Sequence, residues 1–183
     1  MKNKVIGLLT SSFLVVSAFA ISGPKIEAQA VTKKITQTFA NTLENGTLPS
    51  ANGSIYTSYG SLKSTAPASN FNTVSGTYID SKNDIYYFKR DKVFYIPAGS
   101  KVNMIQRTYD FKLSKNSLNK YLGDRVPVMF KNKPVKSYYL YKTGNYYTLF
   151  NFERFESEGV DRTVVLIGTK EAMEKELTRK IKE

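Results

Sequence analysis

The stretch SYYLYKTGNYYTLF, Ser137 to Phe150, constrains the fold more than any other part of the chain. Aromatic and aliphatic residues flank Gly144-Asn145 on both sides, the pattern of two strands joined by a two-residue loop. A loop that short fixes the pairing. Thr143 faces Tyr146, Lys142 faces Tyr147, Tyr141 faces Thr148, Leu140 faces Leu149, Tyr139 faces Phe150 and Tyr138 faces Asn151. Strand alternation then puts Tyr139, Tyr141, Tyr146, Phe150 and Phe152 on one face, which reads as core. The other face carries Lys136, Tyr138, Leu140, Lys142, Tyr147, Leu149, Asn151 and Glu153. Being mixed, it is the candidate ligand surface, with Lys136, Tyr138, Lys142, Tyr147 and Asn151 as its binding residues.

The same chemistry recurs along the chain from Thr73. Strands are expected at Thr73–Ile79, Ile85–Lys89, Lys92–Ile96, Lys101–Leu113, Val126–Lys131, Val135–Lys142, Tyr146–Phe155 and Arg162–Gly168, with turn formers such as Asp80-Ser81-Lys82-Asn83-Asp84 between them. A short central helix is expected at Ser117–Leu122, with Ser117 as N-cap and Gly123 closing it. The chain ends in an amphipathic helix. Thr169 is its N-cap, Glu171 lies in the first turn, and Met173, Leu177 and Ile181 repeat every four residues beside Ala172. Short turns between strands argue for a mainly β (α+β) fold: an antiparallel sheet, sandwich or partly closed barrel, with these helices against it. Residues 73–183 are read as a single β-rich domain.

Residues 31–72 differ in composition, being rich in Ser, Thr, Asn and Gly. They are read as an irregular segment that adds little core, with an amphipathic piece at Lys34–Leu43 and a possible strand at Ile55–Tyr59. Residues 1–30 have the form of a secretory signal peptide: Lys2 and Lys4, an apolar run from Val5, then Ala28-Gln29-Ala30 before the cut. The expected product is secreted and extracellular, loosely associated with the cell envelope, bacterial, and not an integral membrane protein after cleavage. The chain has no Cys, so disulfides, thiolate metal sites and an N-terminal lipidated Cys are excluded. The formal charge is +12, of which residues 1–30 carry +2 (Lys2, Lys4 and Lys25 against Glu27), leaving +10 on the remainder. That balance points toward anionic partners.

The chain also has no His. Ser-His-Asp and Cys-His catalysis and His-based zinc sites are therefore absent, and no cofactor or metal is expected. Ser117-Leu118-Asn119-Lys120 and Lys142-Thr143-Gly144 imitate short motifs of penicillin-recognising serine enzymes. They lie too close together, lack an intervening Ser-x-Asn, and put Lys-Thr-Gly on a hairpin turn, so that reading is set aside. Asp80-x-Lys82-x-Asp84 has a Lys at a ligand position and is a turn, not a calcium loop. Glu153, Glu156, Glu158 and Asp161 are read first as a solvated loop neutralised by Arg154 and Arg162. Lys and Tyr alternate over the strands, a combination that suits anionic or sugar-bearing chains. No recognition motif gathers the charge for specific nucleic acid. The leading expectation is a secreted, basic, non-enzymatic protein that associates with anionic wall polymer or polysaccharide through a Lys/Tyr-rich sheet face. The alternatives are a protein-binding effector or inhibitor of an extracellular enzyme and, third, a carboxylate-dependent hydrolase.

Overall fold

The computed structural model describes residues 32–65, 70–72, 77–80, 83, 85–89, 99–130, 133–136, 138–155 and 160–182. The expected signal peptide and the expected strand at Lys92–Ile96 lie outside them, as do Glu156 and Glu158. The elements run β1 (Thr32–Lys33), α1 (Gln37–Glu44), α2 (Tyr59–Thr65), β2 (Asn70–Asn72), β3 (Thr77–Asp80), β4 (Ile85–Phe88), β5 (Met104–Tyr109) and β6 (Lys112–Leu113). There follow α3 (Lys115–Leu122), β7 (Arg125–Val126), β8 (Met129–Phe130), β9 (Lys133–Pro134), β10 (Tyr138–Thr143), β11 (Tyr146–Phe155), β12 (Val160–Gly168) and α4 (Lys170–Lys182).

Eight strands form one antiparallel sheet in the order β2-β3-β4-β5-β12-β11-β10-β7. The fold is mainly β with helices, as the alternation requires. Among the described residues the order ends with β2 on one side and β7 on the other. β10, β11 and β12 are a meander, and every cross-strand pair from Tyr138–Asn151 to Thr143–Tyr146 follows the register set by the Gly144-Asn145 loop. Gly144 has φ +60° and Asn145 stays at negative φ, so glycine fills the first central position as a type II′ turn demands. Between β5, at the sheet centre, and β7, at the edge, the chain crosses one face as β6 and α3.

Side-chain alternation gives the sheet two buried faces. On the first, Tyr78, Tyr87, Ile105, Tyr141, Phe150, Val165 and Ile167 pack beneath α1, α2 and α3. On the second, Met104, Leu140, Leu149, Val164 and Leu166 pack beneath Ala172 and Met173 of α4. The α4 stripe works as its spacing requires. Met173 and Ala172 are buried, Leu177 and Ile181 lie against the same cluster, and Thr169 Oγ1 accepts the Ala172 N–H at 3.2 Å.

The reading of residues 31–72 needs correcting. Ile35, Ala40, Leu43, Leu48, Ile55, Tyr59 and Leu62 are all buried, so this segment closes the first face. Its few apolar residues are spaced to meet that face: Ala40 and Leu43 in α1, Tyr59 and Leu62 in α2. The expected strand at Ile55–Tyr59 is instead a turn leading into α2, whose start is capped by Ser58 Oγ accepting the Ser61 N–H at 3.1 Å. Ser117 is likewise not the cap of α3. Ser114 is, accepting from Ser117 N. Ser117 sits inside the first turn, where its hydroxyl donates to Ser114 O at 2.8 Å and accepts the Ile35 N–H at 3.0 Å. That bond ties the N-terminal segment to α3. Gly123 closes the helix at φ +77°. The expected strand Lys101–Leu113 breaks at Asp110-Phe111, and Val126–Lys131 breaks at Pro127-Val128, where Pro has no N–H for a ladder.

Candidate functional site

Of the five hairpin residues singled out from alternation, Tyr138, Lys142, Tyr147 and Asn151 lie on one side of β10 and β11, where α4 divides them, and Lys136 falls outside the ladder. Tyr138 faces Asn151 and Lys142 faces Tyr147 across the ladder, with Leu140 and Leu149 between the two pairs. Both leucines are buried under α4. Four residues of strand at about 3.3 Å each hold the two pairs about 13 Å apart. Lys142 is exposed and Tyr147 half-buried at one end. At the other end Tyr138 packs against the second core, and Asn151 donates its amide to Glu153 Oε1 at 2.6 Å. Lys136 is exposed, in the turn before β10.

Two hollows flank the β7–β8 segment. One, of about 330 Å³, lies between it and α4 and is walled by Val126, Val128, Leu140, Met173 and Leu177, with Tyr147 among its lining. Lys170 and Glu174 also border it, paired at 3.9 Å. The other, of about 350 Å³, holds Lys136 and Arg125 beside Val135 and Pro134. Both are open to solvent; the first mixes apolar with charged groups and the second is mostly apolar.

Of the candidate carboxylates, Glu153 and Asp161 are described, and both line a hollow with Lys112 and Arg162. Asp161 is held by Lys112 at 3.7 Å, and Arg162 reaches Asp110 at 3.0 Å. Neutralisation of Asp161 thus comes from β6, a partner the sequence reading had not assigned. Among the described residues no group of three or more carboxylates could hold a metal ion, and no helix is long and apolar enough to cross a membrane.

A second arrangement, on the opposite face of the same hairpin, escaped the sequence reading. The ring of Tyr139 packs edge-on against Phe152, centroids 5.1 Å apart. Two cations converge on it. The Arg125 guanidinium carbon lies 3.8 Å from the Tyr139 centroid. Lys115 Nζ lies 4.8 Å from the same centroid and 5.3 Å from that of Phe152. A cation is drawn to the negative face of an aromatic ring, so the ring holds both cations near it. Arg125 Nη2 also donates to Tyr138 O at 2.7 Å. One turn along α3 from Lys115, Asn119 Oδ1 accepts the Tyr141 hydroxyl at 2.6 Å. Burial pushes the Tyr141 phenol up to about 12, and the Arg125 charge works against that rise. Lys115 and Arg125 are both exposed, and neither forms an ion pair among the described residues. Lys115 belongs to the dispersed basic residues of the sequence. Arg125 follows the Gly123 helix stop, and only the passage of α3 across the sheet brings the two together.

No family model matches the chain, and no curated protein matches it. Among solved structures, that of a DUF4309 family protein (YjgB) from Bacillus subtilis subsp. subtilis str. 168 is similar, at 16% identity and a TM-score of 0.39. The match covers 72% of this chain and 93% of that one. A likeness that distant bears on neither ligand nor activity.

Proposed function

We propose that this is a secreted, basic, non-enzymatic binding protein that associates with anionic or carbohydrate polymers of the cell envelope. The observation that carries the reading is the pair of exposed cations, Lys115 and Arg125, seated on Tyr139 with no carboxylate partner among the described residues. The formal charge of the chain gives the long-range attraction. The exposed parts of the aromatic rings beside these cations give apolar contacts for a polymer's carbon skeleton. Association of this kind weakens steeply with salt. Sedimentation of the protein with purified anionic wall polymer across a salt series tests it. Retention at low salt that fades as salt rises is expected, and no retention even at low salt removes the reading.

The hollow of about 330 Å³ beside α4, where Val126, Val128 and Leu177 lie next to the Lys170–Glu174 pair, favours a second reading, a protein-binding effector or inhibitor of an extracellular enzyme. Such binding is stoichiometric and less sensitive to salt. Co-purification of one defined protein at fixed ratio distinguishes it from the first.

A further inference from the structure

We infer that Lys115 and Arg125 are the seat of one phosphodiester group of an anionic polymer, with Asn119 beside it as a donor to the polymer's hydroxyl oxygens. The inference rests on the polymer-binding reading above and gives it a location and a ligand chemistry.

Two like charges placed against one ring repel each other, and among the described residues no carboxylate pairs with either. Asp124, the neighbour of Arg125 in sequence, forms no ion pair with it among the described residues. Asp161 and Glu153 border the adjoining hollow that Phe152 also lines, but Lys112 already holds Asp161, and Glu153 already accepts from Asn151. An anion between the two cations is the missing partner.

Its shape follows from the donors. A carboxylate is best gripped by both arms of a single guanidinium. Arg125 has one arm committed to Tyr138 O. The remaining donors come from two directions, a helix and a sheet edge. That arrangement suits the two unshared oxygens of a phosphodiester, one for Arg125 and one for Lys115. Because Asn119 Oδ1 accepts from Tyr141, the orientation of its amide is fixed and its two N–H groups remain for a ligand oxygen. Phe152, half-buried against Tyr139 and beneath Lys115, offers apolar surface to the linking carbons.

The test is calorimetric titration of the protein at low salt with two probes of matched charge, a poly(glycerol phosphate) oligomer and a polygalacturonate oligomer. The double variant Lys115→Gln/Arg125→Gln is compared with Lys63→Gln/Lys175→Gln, which removes the same charge from α2 and α4. The expected result is tighter binding of the phosphodiester. The first pair should lose about tenfold or more of that affinity, and the control pair less than about twofold. Equal losses in the two pairs overturn the seat while leaving charge-driven binding intact. Equal or tighter binding of polygalacturonate overturns the phosphodiester assignment. No binding of either probe by the unaltered protein removes the reading beneath both. If the double variant loses its native circular dichroism, Arg125→Lys, which keeps the charge but not the planar fork, carries the test. It should weaken the phosphodiester by several-fold, and an unchanged affinity overturns the role of Arg125.

Discussion

Alkaline unfolding should be unusually steep, because three buried phenols must give up protons together. Tyr87, Tyr109 and Tyr141 all lie in the first core. Burial is the main cause that raises each from the ordinary 10.0 up to about 12. The Asn52 N–H donated to the Tyr87 hydroxyl at 2.8 Å opposes the rise there. The Arg107 and Arg125 charges oppose it at Tyr109 and Tyr141. An unfolded phenol loses its proton near pH 10, so above that pH the folded chain holds up to three more protons than the unfolded one. The stability these groups contribute is therefore complete below pH 10 and is lost as pH rises toward 12. Each extra proton changes stability by about 1.4 kcal/mol per pH unit, so three give up to about 4 kcal/mol per unit. A single domain has only about 5–15 kcal/mol in all, so two such units remove most of it. Circular dichroism and phenolate absorbance, followed together up to about pH 12, provide the assay. The double variant Tyr87→Phe/Tyr109→Phe should show about one third of the slope. The reasoning is refuted if the absorbance lost in that variant belongs to phenols ionising near pH 10 while the circular dichroism stays native.

Three further substitutions test the packing that positions the site. Leu149→Ala removes a fully buried side chain from beneath α4 and should cost about 2–5 kcal/mol by denaturant unfolding. Gly144→Ala puts a side chain at φ +60° and brings its Cβ to 3.1 Å from Glu44 O, so about 1–2 kcal/mol should be lost in a thermal melt. Ser114→Ala deletes the cap of α3, the helix that presents Lys115, and should cost about 1 kcal/mol by the same measurement.

The hairpin register was legible because a two-residue loop allows one pairing, and strand alternation follows from the pairing without further information. The C-terminal helix was legible for a similar reason: Met173, Leu177 and Ile181 carry a local period. What α4 covers is not local. Leu140 and Leu149 lie on the mixed face by alternation, and nothing in their own stretch says that the C-terminal helix buries them and parts Tyr138 from Lys142. The amphipathic piece read at Lys34–Leu43 is α1, but α2 was obscured by composition. Polar and small residues dominate Asn41–Asn72, and buried positions such as Leu48, Tyr59 and Leu62 are too sparse to show a period. The Lys115–Arg125 pair depends on a crossover from the sheet centre to its edge. Ten positions apart on a helix and the strand after it, the two look like ordinary surface charges until α3 is laid along β10.

Which residues meet the polymer is read most directly by amide chemical shifts of the labelled protein as poly(glycerol phosphate) is added at low salt. The account predicts that shifts concentrate at Lys115–Lys120, Arg125, Tyr139 and Phe152, and that they reverse when salt is raised. Shifts spread evenly over the lysines of both faces, or confined to Lys142 and Tyr147, would contradict it.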